Sequence, residues 1–206
     1  MILLEHVRAR LLAEPPDRTA HDDYHLSGEH PPIETVAAAR AAVLIPIIAR
    51  PESSGGPMLL FTRRTESLAR HSGQVSFPGG RVDPSDLTPV ETALRETMEE
   101  TGIAPGFVTV AGYLDRYLTG TGFDIQPVVG LLSDGFALAR NEAEVAEIFE
   151  VPLSFLADPA NRQRQTREFQ GRARSFYSIR YGAHDIWGAT AAIVVDLAER
   201  LKNPVT

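Results

Sequence analysis

The sequence predicts a mixed α/β sandwich, and three observations lead there. Apolar runs of strand length alternate with helical patterns, without the regular spacing of β-α-β units. One helix in the middle of the chain has both of its ends written in the sequence. The 206 residues, 43% hydrophobic and 23% charged, suit one decorated globular domain.

Residues 2–13 have helical spacing, with Leu3, Val7, Leu11 and Leu12 on one face. Residues 14–34 are rich in Pro, Asp, His and Glu and read as an irregular connection. Residues 40–49 read as a buried strand in which Pro46 implies an edge or a bulge. Pro51 to Pro57 is a turn and Met58 to Arg63 a second strand, so 40–63 reads as a hairpin. A Gly/Ser/His loop then runs to Phe77-Pro78-Gly79-Gly80. The helix Pro89–Thr101 follows. Thr88 is its N-cap, Pro89 its first residue, Glu91 the partner in a capping box, and Gly102 its stop. Val108–Leu114 and Ile125–Leu132 read as strands, and Glu142–Phe149 as a short helix. Thr166–Trp187 reads as strands around a turn at Gly171, and Ala189–Leu201 as a final helix.

Composition excludes several classes. The absence of cysteine rules out disulfides and Cys-ligated metal sites and fits a reducing, cytoplasmic setting. The longest apolar run, Ala41–Ile48, is too short to span a bilayer, and the N-terminus has no basic leader. A net charge of −7 argues against general nucleic-acid binding. Nineteen of the 20 basic residues are arginine, so arginine identity alone marks no site.

The central helix carries the chemistry. Val90, Leu94, Thr97, Met98 and Thr101 share one side, and Glu96, Glu99 and Glu100 fall within an arc of about 100° on another. Three carboxylates so close repel one another. A hard divalent cation relieves that repulsion by binding their oxygens. Arg95, one turn before Glu99, is placed to hold that carboxylate. A solvated face with Arg–Glu pairs is the competing reading of these residues alone. Gly79-Gly80 upstream tilts the balance, because glycine lets a backbone carbonyl approach the same metal.

These residues resemble the Nudix box, G-x5-E-x7-R-E-U-x-E-E-x-G-U with U a bulky aliphatic residue. Gly80 opens it and Arg95-Glu96-Thr97-Met98-Glu99-Glu100-Thr101-Gly102-Ile103 closes it. Asp86 stands where the first Glu belongs, nine positions before Arg95 rather than eight, and Thr97 replaces an aliphatic residue. The longer gap resembles the coenzyme A pyrophosphatase branch, which shares Phe-Pro-Gly-Gly-x-x-Asp-x-x-Asp before Ala-Leu-Arg-Glu. Leu60-Phe61-Thr62-Arg63-Arg64 and Gly73-Gln74-Val75-Ser76-Phe77 follow the branch's upstream signature, with Thr65 for Ser or Ala and Ala69 for an Arg. Gln126–Gly130, Glu144-Val145 with Phe149–Leu153, and Ile186–Ala191 also look like that branch, so the resemblance spans roughly residues 40–195.

The resemblance implies an α/β/α sandwich with a mixed sheet over 36–206, preceded by an N-terminal helix and connection over 1–35. It implies hydrolysis of the diphosphate of coenzyme A or acyl-CoA, with Mg²⁺ or Mn²⁺. Glu96, Glu100 and Glu99, with Gly80, are the expected metal ligands. Glu99 and Glu144 are the alternatives for the general base, and Arg95 is placed with them in the catalytic set. Arg63, Arg64 and Arg70, with Gly79 and Gly80, are expected at the substrate, while any single one of these arginines also suits an ion pair with a nearby acid. The run Arg162, Arg164, Arg167, Arg172 and Arg174 flanks a turn and reads as a solvated strand edge, with a grip on a phosphate-rich substrate as the alternative. Phe176, Ile179, Tyr181 and Trp187 read as core or dimer contacts, with Trp187 the best candidate for an interface or a pocket. The expected partner is a nucleotide-type small molecule, not nucleic acid or a membrane, with a homodimer also compatible.

ADP-ribose or another nucleoside diphosphate derivative is the alternative substrate, kept open by Ala69. Isomerisation of isopentenyl diphosphate on a related fold calls for a cysteine, which the chain lacks. A non-catalytic nucleotide sensor is expected to lose box carboxylates, and all three are present.

Overall fold

The structure, a computed structural model, describes residues 2–17, 19–28, 38–66, 73–169 and 172–202. A large mixed sheet is built on β2 (Ala39–Ile48), which pairs in parallel with β8 (Phe123–Leu132) along its whole length. On its other side β2 meets β5 (Gly79–Arg81) and then, at Ile47 and Ile48, β3 (Met58–Arg64). The hairpin of 40–63 is therefore paired only next to its turn. β2 is central rather than an edge. Pro46 lies where its partner changes from β5 to β3: Leu44 N–H donates to the Pro78 carbonyl, and the next pair on that side is Ile47 with Leu59. The missing N–H falls in that gap.

Period-2 alternation sends β2 side chains to two cores. Ile45 and Ile47 join Leu59, Phe61 and the final helix α4 (Ala189–Lys202), with Leu156 of α3 (Leu153–Ala157) and Val7 of α1 (Ile2–Arg8). Ala42 and Leu44 face Val90, Ala93 and Leu94 of α2 (Pro89–Thr101). Helices thus cover both faces of a mixed sheet. Among the described residues no helix is long and apolar enough to cross a membrane.

Several expectations are corrected. The N-terminal helix stops at Arg8 rather than reaching residue 13. Inside the supposed irregular stretch, β1 (Thr19–Asp22) pairs in parallel with β7 (Arg116–Leu118). β6 (Val108–Tyr113) packs beside β8 as expected. The segment Glu142–Phe149 is not a helix. Its first residues form a turn, and β9 (Val145–Pro152) pairs along β3. Glu and Ala give this segment local helical character, but Val145, Ile148, Phe149 and Val151 fit a sheet whose neighbour offers a full ladder. β4 (Val75–Ser76) closes the other edge of β3.

A separate three-stranded antiparallel sheet holds β10 (Arg162–Phe169), β11 (Arg172–Tyr181) and β12 (His184–Trp187). Gly171, expected at its turn, lies outside the described residues. The segment after β1 straps the two sheets together. Tyr117 Oη and the Gly120 N–H both donate to Asp23, and Ser175 N–H donates to Ser27 Oγ at 2.9 Å.

Candidate active site

The site begins with the capping box, which sets the start of α2: Glu91 N–H donates to Thr88 Oγ1, and Thr88 N–H to the Glu91 carboxylate, both at 3.2 Å. The buried face of the helix is Thr92, Ala93, Thr97, Glu100 and Thr101, turned from the expected stripe toward the carboxylates. Met98, expected on the apolar side, is 52% exposed. Thr97 serves in place of an aliphatic residue because its hydroxyl donates to the Ala93 carbonyl at 2.6 Å.

β5 crosses against this helix, and its glycines are required by close approach. A methyl group on Gly80 would sit 2.5 Å from both Glu96 carboxylate oxygens. One on Gly79 would sit 2.6 Å from Val43 Cα. Glu100 is 3% exposed, and its Oε2 has no hydrogen-bond partner. Burial pushes the Glu100 carboxyl up to about 8, reinforced by the charges of Glu96 and Glu144. Arg64, 3.7 Å away, and the Gly79 N–H act in the opposite direction. Glu96 is raised as well, by burial first and then by Glu99 and Glu144.

Arg95 ties the acids together. Its Nη2 donates to Asp86 at 2.9 Å and to the Arg81 carbonyl at 3.1 Å; its Nη1 reaches Glu96 at 2.9 Å and Glu99 at 3.4 Å. Asp86 also accepts from Thr92 Oγ1 and from the Asp83 N–H, both at 2.9 Å. The Arg95 hydrogen bonds hold its carboxyl well below the usual carboxylate range. Asp86, in the place of the first box Glu, is thus a brace for the loop, and Arg95 holds it more closely than Glu99.

A family model for the NUDIX domain matches residues 38–174. The chain belongs to the Nudix family. NudL of Photorhabdus laumondii, an uncharacterized Nudix hydrolase, is 43% identical over 162 residues, covering 79% of this chain and 84% of that one. NudL of Yersinia enterocolitica is 43% identical over 161 residues, covering 78% and 80%. A MutT/nudix family protein from Enterococcus faecalis shares the fold at 13% identity and a TM-score of 0.52, over 87% of this chain and 67% of that one.

Nudix hydrolases use divalent metal ions, and the donor set here fits one. The partnerless, deeply buried Glu100 oxygen lacks a positive ligand, and Gly80 leaves open the space beside Glu96 that a Cβ would fill. With Arg95 drawing Glu96 and Glu99 to itself, the box acids are not the tightest His/carboxylate group among the described residues. That group is His21, Asp115 and Asp196, and Arg200 pairs with both of its aspartates.

The other expected residues divide. Gly79, Gly80 and Arg64 line a cavity of about 730 Å³ between β5 and the three-stranded sheet. Arg63 instead pairs with Glu147 at 3.2 Å, and His184 approaches the same carboxylate at 3.1 Å. Arg70 and Ala69 lie outside the described residues. Glu144 lies in the turn before β9, not on a helix. The Thr65 N–H donates to its carbonyl, and the Asn141 N–H donates to the Glu100 carbonyl, so this turn is pinned near the end of α2. Sequence reasoning missed Arg81, which lines the cavity with its guanidinium 5.1 Å from the Phe123 ring centre. Of the two readings of the arginine run, a solvated edge and a grip on phosphates, Arg167 keeps features of both: it is exposed on the edge strand β10 and, like Arg174, Phe176 and Trp187, lines the cavity. Cross-strand pairing, which a linear sequence does not display, is the signal that brings them there.

Proposed function

We propose that this Nudix hydrolase cleaves the diphosphate linkage of coenzyme A or an acyl-CoA to 3′,5′-ADP and (acyl-)4′-phosphopantetheine. The observation that carries the chemistry is Glu100, buried with one carboxylate oxygen unpartnered, beside Glu96 and Gly80. Glu96, Glu100 and Glu99, with the Gly80 carbonyl, would hold Mg²⁺ or Mn²⁺. When bound, such ions neutralise diphosphate charge and acidify a coordinated water.

The protein's own groups do the rest. Arg95 positions the box by bracing the Asp86 loop against Glu96 and Glu99. Arg64 faces both Glu100 and the cavity, so it is placed to meet a phosphate oxygen beside the ligand set. Arg81 is placed similarly, one residue beyond Gly80. Glu99 or Glu144 accepts the proton of the water that attacks phosphorus. Glu99 is the more exposed at 56%, while Glu144 sits in a turn fixed to α2.

Support for the substrate comes from Phe77-Pro78-Gly79-Gly80-Arg81-Val82-Asp83-Pro84-Ser85-Asp86 and from the cavity. Its walls combine arginines with Leu26, Val43, Phe77, Ile125 and Trp187, suiting a molecule with both phosphates and an apolar arm. Ala69, where the branch signature carries Arg, favours a second reading, hydrolysis of another nucleoside diphosphate derivative such as ADP-ribose. A panel of coenzyme A, ADP-ribose and dinucleoside polyphosphates with Mg²⁺ or Mn²⁺ separates the two. Coenzyme A is expected to give the highest kcat/KM. Turnover of ADP-ribose far above that of coenzyme A would replace the first reading by the second.

A further inference from the structure

The three-stranded sheet contributes an unusual wall to the cavity. Arg167 of β10 stands directly opposite Arg174 of β11 in the antiparallel register. Like charges so placed destabilise a sheet unless something offsets them. Arg174 is anchored with its guanidinium 4.2 Å from the centre of the Tyr24 ring. Arg167 lies over Phe176 and Trp187, 5.3 and 5.7 Å from their ring centres. Among the described residues no carboxylate comes within ion-pair distance of Arg167, although Glu168 also lines the cavity.

The mode of anchoring matters chemically. A guanidinium stacked on a ring is held through its face, and its N–H donors radiate in the plane. An arginine fixed in this way keeps its hydrogen-bonding fork open, whereas one fixed by a carboxylate has spent it. A free fork suits the paired oxygens of a phosphate. The aromatic rings themselves do not form a slot for a base. Phe176 and Trp187 pack against each other at 5.5 Å with planes tilted by 58°, and Arg167 covers them.

We propose that Arg167, backed by Phe176 and Trp187, is an anion subsite for a phosphomonoester carried by the substrate apart from its scissile diphosphate. The box glycines and Arg64 belong to the same cavity but to the other sheet, so one ligand can meet both. The subsite selects nucleotides with that extra phosphate over those without it. This rests on the reading of the site as one for a nucleoside diphosphate derivative, with the 3′-phosphate of coenzyme A as the specific occupant.

The test separates the subsite from the substrate. The full-length protein is titrated calorimetrically with 3′,5′-ADP and with AMP, which differ by one phosphomonoester. The wild type is expected to bind 3′,5′-ADP at least about tenfold more tightly, the scale of one charge-assisted contact. Arg167→Ala is expected to weaken 3′,5′-ADP by about 10- to 100-fold and AMP by less than about twofold. Equal weakening of both nucleotides, or an unchanged preference, overturns the proposal. Arg167→Gln is read by the same criterion and serves if the alanine variant does not fold. In turnover, Arg167→Ala should raise KM for coenzyme A and leave dephospho-coenzyme A nearly unchanged, with kcat kept for both. Should the enzyme hydrolyse ADP-ribose and not coenzyme A, the proposed function fails. The subsite then still stands or falls on the two nucleotide titrations.

Discussion

The two ends of the cavity hold their charges by opposite means. At the box, acids are crowded: burial, and then neighbouring carboxylates including Glu144, raise the carboxyls of Glu96 and Glu100, and Arg95 is shared among three carboxylates. At the three-stranded sheet, cations are crowded, with Arg167 opposite Arg174 and aromatic rings as supports. The first end gathers buried like charges, while at the second the two arginine guanidiniums rest on aromatic faces. The acid-rich end suits a cation and the base-rich end an anion, which is the arrangement that a metal-loaded phosphate ester would join. Variants at one end should therefore leave the other intact.

Glu100→Gln tests this most severely. It keeps the shape and removes the charge, so metal-dependent turnover should fall on the order of 10³-fold, the scale seen for losing one preorganised electrostatic group. Binding of 3′,5′-ADP without metal should change by less than about twofold, since Arg167 is untouched. Near-normal turnover would remove Glu100 from the ligand set. Next in size is the choice of base. Of Glu99→Gln and Glu144→Gln, the one at the base should lose about 10²-fold or more in kcat/KM. It should also lose the rise of kcat/KM with pH on the acid side of the profile. If both keep that rise, neither carboxylate is the base.

A smaller effect concerns stability. The folded Glu100 carboxyl is raised from 4.5 to about 8, so the fold favours its protonated form. That contribution is present below the ordinary carboxylate range and is lost as pH rises toward 8. Metal-free protein should lose melting temperature between pH 5 and pH 8. Added Mn²⁺ should restore more at pH 8 than at pH 5, because binding requires the ionised form. Thermal melts with EDTA or Mn²⁺ read this directly, and Glu100→Gln should flatten the dependence. The smallest change belongs to Thr88→Ala. Loss of the N-cap should cost about 1 kcal/mol and lower Tm by roughly 2–4 °C. A large fall in kcat with that small shift would mean that the cap positions the carboxylates as well as starting the helix.

How much of this was legible in the sequence follows from the range of the forces involved. The start and stop of α2 were readable because Thr88, Glu91 and Gly102 act within one turn of the helix. Gly79 and Gly80 were readable as close-approach positions, but not which atoms approach. β9 was misread because its strand identity comes from β3, more than 80 residues earlier in the chain (Arg63 pairs with Glu147, 147 − 63 = 84). β1 was missed for the same reason, since only β7 makes it a strand. The exposure of Met98 was hidden because β5 pulls the buried face of α2 toward Glu100. Asp86 was counted as a departure from the box, and only the structure shows its carboxylate engaged by Arg95 and Thr92.

The strap from Thr19 to Ser27 has a consequence for the order of assembly. Ser27 is bonded to Ser175, 148 residues further along the chain. A closure that long carries a large entropic cost before it returns any contact. The box glycines and acids are carried by β5 and α2 against β2, within residues 39–101, and their core is completed by Val128 of β8. The contacts that complete the box therefore close over shorter separations than the strap. The cavity exists as a selective space only after β11 has been made and the earliest strand has been caught beneath it.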